Sequence, residues 1–273
     1  MGKWTKLLLL AGLILVPFFY FRSLNCGTSD KDLSSFTGGI DRSKTAFSSG
    51  EKARIALIFD DLGQSLQDIK DVYSLKIPLT VAVIPGLKFS RNISHIAERC
   101  DFSVLLHLPM EPHNQTPAFV KARRNFITGS LTDREIRALL RKYLASLRVA
   151  VGVNNHMGSK ATENPRIMKA VLSVLKEKRK FFIDSHTTDH SCSSSIAGGL
   201  GVTCAENSAF LDAVDDPAAI KDKIYHCLDL AEKQGKVIII AHPKANTFKV
   251  LAEELPALRG KVDFITVEEY FGL

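Results

Sequence analysis

Residues 55–63 read IALIFDDLG. Five apolar side chains in a row, unbroken by polar ones, mark a strand buried on both faces, as in parallel sheets covered by helices. The run ends on two adjacent carboxylates, Asp60 and Asp61. One aspartate is enough to cap a following helix; the second needs another reason. A dinucleotide-binding sheet would place G-x-G-x-x-G directly after this first strand, but the chain continues DDLGQS and carries no phosphate-loop lysine motif. Nucleotide-binding sheets lose ground, and a barrel gains it.

The pattern repeats outward from this stretch. Short apolar runs at 54–60, 79–84, 102–107, 149–153, 181–184, 237–241 and 262–266 read as strands, and amphipathic segments separate most of them. Segment 132–148 is the clearest helix. Thr132 and Glu135 have capping-box spacing, Ile136, Leu139, Leu140, Tyr143, Leu144 and Leu147 form one apolar stripe, and Arg134, Arg137, Arg141 and Arg148 fall on the opposite, solvated side. A second helix opens at Asn164-Pro165 and turns Met168, Val171, Leu172 and Leu175 inward. Segments 217–234 and 248–258 also read as helical. Continuous apolar strands alternating with helices predict an α/β fold over residues 51–273 and favour a (β/α) barrel of seven or eight strands.

The residues at the strand ends are chemically selective. His107 ends the third run, with Glu111 four residues on; Asn154, Asn155 and His156 come after the fourth. Asp184, Ser185 and His186 close the fifth, and His242 comes after the sixth. Taken singly, each has a bland reading as a cap or a hydrogen-bonded histidine. In a parallel barrel, however, all these strand ends converge on one rim, where active sites are built. Packing gives no reason for acids and imidazoles to collect there. Imidazole nitrogens and carboxylate oxygens together are ligands for a divalent metal such as zinc. One aspartate of the pair would bind the metal and the other would take a proton from water, while His242 serves the leaving group; that is the hydrolysis of an ester or amide.

The stretches IALIFDDLG, LTVAVIPG, VLLHLPMEP, GVNNHMGSKAT, FFIDSHTT and IIIAHP occur in this order and resemble the divergent polysaccharide deacetylases, bacterial envelope relatives of the metal-dependent carbohydrate deacetylases. The resemblance covers roughly residues 52–270, and NNHMGS and HLPMEP are its most specific parts. It implies a distorted TIM-like (β/α) barrel of about seven strands, in which Asp60 is the base, Asp61, His107 and His156 are the metal ligands, and His242 is the acid. The histidine motif of the classical enzymes has a second histidine where this chain has Glu111, which becomes a substitute ligand or a substrate contact alongside Asn155, Asp184 and His186. Implied too are a divalent metal, zinc first, and a cell-envelope polysaccharide substrate freed of its acetyl groups. Two other readings stay open: a non-catalytic barrel that binds envelope glycan or protein and keeps the metal site, and a metal-dependent phosphoesterase if the basic stretch 121–124 (KARR) lines the pocket.

Residues 1–22 set Lys3 and Lys6 before fifteen uncharged, almost wholly apolar residues, 7–21. That is the layout of an export signal. As a helix the run spans about 22 Å at ~1.5 Å per residue, short of a hydrocarbon core of about 30 Å. It reads as a cleaved signal or as an N-terminal anchor with Lys3 and Lys6 on the cytoplasmic side, and the lack of an A-x-A site favours the anchor. Residues 23–50, rich in Ser, Thr, Gly and Asp, read as a linker. The expected location is exported and periplasmic, with membrane association through the N-terminus. Residues 51–273 carry 30 Lys/Arg against 26 Asp/Glu, too small a surplus for nucleic-acid binding. None of the five cysteines forms a C-x-x-C pair, which disfavours a thiolate zinc site; Cys192 and Cys204 could bridge or stay free.

Overall fold

In the computed structural model the described residues are 52–273, so the candidate signal or anchor (1–22) and the linker (23–50) lie outside them. Nine strands alternate with ten α-helices among these residues. They run β1 (Ala53–Leu62), α1 (Leu66–Ser74), β2 (Thr80–Val83), α2 (Ser90–Arg99), β3 (Ser103–Met110), α3 (Pro117–Ala122), α4 (Asp133–Ser146), β4 (Gly152–Met157), α5 (Ser159–Thr162) and α6 (Pro165–Glu177). Then come β5 (Phe181–Asp184), α7 (Ser193–Leu200), β6 (Cys204–Glu206), β7 (Ala209–Phe210), α8 (Pro217–Gln234), β8 (Lys236–Ala241), α9 (Ala245–Leu258), β9 (Val262–Ile265) and α10 (Val267–Phe271).

All pairings are parallel, in the order β6-β5-β4-β3-β2-β1-β8-β7, with β9 added to β1. The two ends of this order are neighbours in sequence. Asn207 N–H donates to Asp184 O of β5 and Ser208 N–H to Ile238 O of β8, so residues 204–210 bridge the first and last strands and curl the sheet round into a barrel. The ordered path holds eight strands, not seven, because this closing segment is two short pieces without an apolar run.

Alternation sorts each strand between two cores. From β1, Ala56 and Ile58 point into the barrel with Ala82, Leu105, Phe181, Ile183, Ile238, Ile240 and Ile265. Ile55, Leu57 and Phe59 point outward into the larger core beneath the helices. The interior is narrow: a Cβ on Gly152 would lie 2.3 Å from the Phe181 ring, so glycine at that position makes room for the aromatic.

Helix α4 is capped as its sequence predicts. Thr132 Oγ1 accepts from Glu135 N–H while the Glu135 carboxylate accepts from Thr132 N–H. Of the four arginines expected on the solvated side, Arg134, Arg141 and Arg148 are exposed, the last just beyond the helix, but Arg137 is half-buried, with its Nε enclosed. Helix α6 starts on Asn164 and Pro165 and buries Met168, Val171, Leu172 and Leu175. The fourth strand departs from the expected 149–153: it runs Gly152–Met157, through Asn154, Asn155 and His156. Apolarity alone misplaces it, because the upper end of the barrel interior is polar. Helix α9 begins three residues before the expected 248. Cys192 and Cys204 are free thiols, and Cys192 Sγ donates to Thr162 O.

Candidate metal centre at the barrel mouth

The doubled aspartate works through a bulge. The register between β1 and β2 slips between Phe59 and Leu62, and Asp61 takes a left-handed backbone, φ 64°. In a regular strand Asp60 and Asp61 would face opposite sides of the sheet; the bulge turns both carboxylates to the mouth. Aspartate tolerates this conformation better than most residues, at a cost of about 1–3 kcal/mol. Met157 and His186, at the ends of β4 and β5, are left-handed as well (φ 56° and 55°). Strain of this kind gathers at functional rims.

Register places the other groups. His107 on β3 pairs with Asn154 on β4, and Pro109 with His156, so Asn154 and His156 share the inward face one step apart. Ala241, the last residue of β8, pairs with Phe59, which brings His242 level with Asp60. Three donors converge: Asp61 Oδ1 lies 3.1 Å from His107 Nε2 and 2.8 Å from His156 Nδ1, and the two imidazole nitrogens are 3.2 Å apart. Asp60 Oδ2 stands 3.7 Å from His107 Nε2, and His242 Nε2 stands 4.0 Å from Asp61 Oδ2.

A second ring of side chains fixes these groups. Asn154 accepts from His107 Nδ1 through its Oδ1, at 2.9 Å, and donates from Nδ2 to Asp60 Oδ1, at 2.8 Å. That bond fixes the His107 ring with Nε2 facing the cluster. Asp212, fully buried, accepts from His242 Nδ1, from His242 N–H and from Thr247 Oγ1. The Phe210 ring stacks on His242 and Phe126 leans on His156.

Burial and neighbouring charge set the protonation of the cluster. Asp60 is raised above the ordinary carboxylate range, chiefly by burial. Burial acts the same way on Asp61, but hydrogen bonds to His107 and His156 outweigh it and hold that carboxylate well below its usual range. Burial would depress His107, yet the negative charge of Asp60 and the bond to Asp61 push it up to about 9. For His242 burial is likewise overcome, first by the hydrogen bond to Asp212 and then by the charge of Asp61, so its pKa is raised. The pocket therefore favours positive charge at its centre.

A cleft of about 310 Å³ opens over this cluster and is lined by Asp60, Asp61, His107, His156 and His242 together with Asn155, Met157, Ser185, Thr187 and Phe210. Asn155 accepts from Ser185 N–H and donates to Met157 O, bracing the β4 and β5 ends. The remaining sequence candidates stand apart from the cluster. Both Glu111 oxygens are engaged, one by Gly129 N–H at 2.7 Å and the other by Lys160 at 2.9 Å. Asp184 is buried and accepts from His186 N–H and the Ser191 hydroxyl. The His186 side chain is exposed, 3.6 Å from Asp189. Sequence reasoning places Asn154 at the rim without a role and does not single out Asp212. The signal for Asp212 is weak: it comes just after β7 as Asp60 comes just after the apolar run of β1, but β7 has no such run to announce it.

A sequence profile for a family described as divergent polysaccharide deacetylase matches residues 57–271. The chain is 29% identical over 221 residues to an uncharacterized protein of Haemophilus influenzae, covering 81% of this chain and 77% of that one. It is 31% identical over 200 residues to the uncharacterized protein YibQ of Escherichia coli, covering 73% of this chain and 61% of that protein. The crystal structure of an uncharacterized protein from Agrobacterium tumefaciens C58 matches with a TM-score of 0.72 at 18% identity, over 82% of this chain and 92% of that chain. At that identity the likeness speaks to the fold alone.

Proposed function

This chain belongs to the divergent polysaccharide deacetylase family, and from that premise we propose that it is a metal-dependent hydrolase that removes acetyl groups from a carbohydrate of the cell envelope. The observation that carries the reading is the meeting of Asp61, His107 and His156, brought from three strands, with every pair of donor atoms close enough to hold one ion. Donors around a tetrahedral zinc with bonds of about 2.0–2.1 Å stand roughly 3.3–3.4 Å apart. The 2.8–3.2 Å separations here need to widen by only a few tenths of an ångström. One carboxylate and two imidazoles, with an open side towards the cleft, suit zinc as a hydrolytic cation, and His107 is already oriented by Asn154.

The chemistry a divalent cation supplies at such a site is acidification of a water molecule and polarisation of the acyl carbonyl. The rest falls to the chain. Asp60 has one oxygen fixed by Asn154 and the other turned to the cluster, and burial strengthens its hold on a proton, as a general base requires. It takes the proton of the attacking water as the new C–O bond forms. His242 lines the same cleft from the end of β8, its Nδ1–H held by Asp212, so that Nε2 carries the proton for the leaving nitrogen or oxygen as the bond to the acyl carbon breaks. Acetate and a free amine or hydroxyl result. The basic, then apolar, N-terminal stretch is the proposed route to the envelope.

Acetate release by the purified full chain from N-acetylated and O-acetylated oligosaccharides, with and without a chelator, tests this reading. The expected outcome is release that the chelator abolishes and added zinc restores. Metal uptake without acetate release from any acetylated glycan would overturn it in favour of a binding barrel.

A further inference from the structure

A second and larger groove of about 660 Å³ adjoins the cleft and shares His156 and Met157 with it. Four cations line it, Lys88, Arg91, Arg124 and Lys142, and no carboxylate does among the described residues. They come from three separated places: the loop into α2 and its first turn, the turn after α3, and the middle of α4. All four are exposed, and cations that do form ion pairs, such as Arg141, Lys160, Arg166 and Lys221, do so elsewhere. A usual solvated face intersperses both signs of charge; four like charges around one concavity repel each other until an anion enters.

From this we propose that the groove holds the polymer on one side of the reacting sugar, and that the polymer is an anionic glycan bearing carboxylates or phosphates on the units next to the acetylated one. The inference rests on the hydrolase reading for the position of the acetylated sugar, since His156 and Met157 line both cavities and the groove is the cleft's continuation on that side. A single-stranded nucleic acid is the other polyanion of suitable width, but its bases need exposed aromatic faces to stack on. The groove's two aromatic residues, Phe126 and Tyr143, are both buried.

Binding of the full chain, measured by titration calorimetry, tests the inference without turnover. The probes are chitohexaose, a hyaluronan hexasaccharide that alternates N-acetylglucosamine with uronate, and a glycerol-phosphate oligomer substituted with N-acetylglucosamine. At about 20 mM salt the charged probes should bind at least about tenfold more tightly than chitohexaose, and the gap should close towards about 200 mM salt as screening grows. The two charged probes separate carboxylate from phosphate recognition. Arg91→Glu and Lys142→Glu should each cut affinity for the better charged probe about tenfold and change chitohexaose affinity by less than about twofold, with far-ultraviolet circular dichroism as the check on folding. Equal binding of neutral and charged probes, insensitivity to both charge reversals, or tighter binding of a single-stranded oligonucleotide would overturn the inference. Its failure is distinguishable from that of the hydrolase reading. A chain that binds as described but releases no acetate keeps the groove and loses the enzyme, whereas one that deacetylates chitohexaose without charge preference does the reverse.

Discussion

The two neighbours Asp60 and Asp61 have the same side chain and opposite electrostatics. Asp60 is sealed in and raised, while Asp61 is half open and held down by two imidazoles. Their replacement by asparagine should therefore separate two losses. Asp60→Asn should lower kcat by at least about a hundredfold with metal content intact, whereas Asp61→Asn and His156→Ala should lose the metal itself, read by elemental analysis after dialysis. Equal metal loss in all three would show that the roles are not divided. Glu111 poses a different question. Although burial opposes it, Gly129 N–H and Lys160 hold its pKa below 4.5, so its ionised form stabilises the fold. Because the folded value is depressed, that stabilisation is full above about pH 4.5 and fades as pH falls through the folded value. Glu111→Gln should cost about 1–3 kcal/mol at pH 7 and progressively less below pH ~4, measured by urea unfolding at both values. The same cost at both would mean that charge is irrelevant there. Every cluster residue was visible in the sequence as a polar group at a strand tip, but Glu111 was visible in the same way and has its oxygens committed to Gly129 and Lys160. Residue type and position along the chain do not reveal where a side chain's hydrogen bonds go.

The elements that could be read from sequence were those whose burial and capping are local. Thr132 and Glu135 announce α4, Asn164-Pro165 announces α6, and unbroken apolar runs announce β1, β3 and β8. Strand β4 was displaced by several residues because its upper half carries the polar interior, Asn154 to His156, that serves the site. Strands β6 and β7 escape the sequence reading because three and two half-exposed or exposed residues carry no periodicity. Their pairing is set by β5 and β8, which lie far off in sequence, and so is the location of Asp212. Close packing between elements leaves a single-residue trace in Gly152. Gly152→Ala should destabilise the barrel by about 1–3 kcal/mol through its contact with Phe181, and Phe181→Leu in the same chain should recover part of that loss. Independent, additive effects in urea unfolding would show that the ring is free to move aside.

At the scale of the molecule, the barrel converts sequence distance into proximity. Donors from β1, β3 and β4 share one mouth because parallel strands all end on the same side, and the bulge at Asp61 adds the one carboxylate that regular alternation would have turned away. The basic groove is a product of the same scale: its four cations lie on segments that only the closed fold assembles, so the short KARR stretch shows no more than Arg124's contribution. Whether these three donors share one cation is decided most sharply by a crystal of the protein grown with zinc, with diffraction recorded on both sides of the zinc absorption edge. One dominant anomalous peak is expected about 2.0–2.2 Å from Asp61 Oδ1, His107 Nε2 and His156 Nδ1. A zinc-loaded crystal whose strongest peak lies away from these three atoms would contradict the assignment.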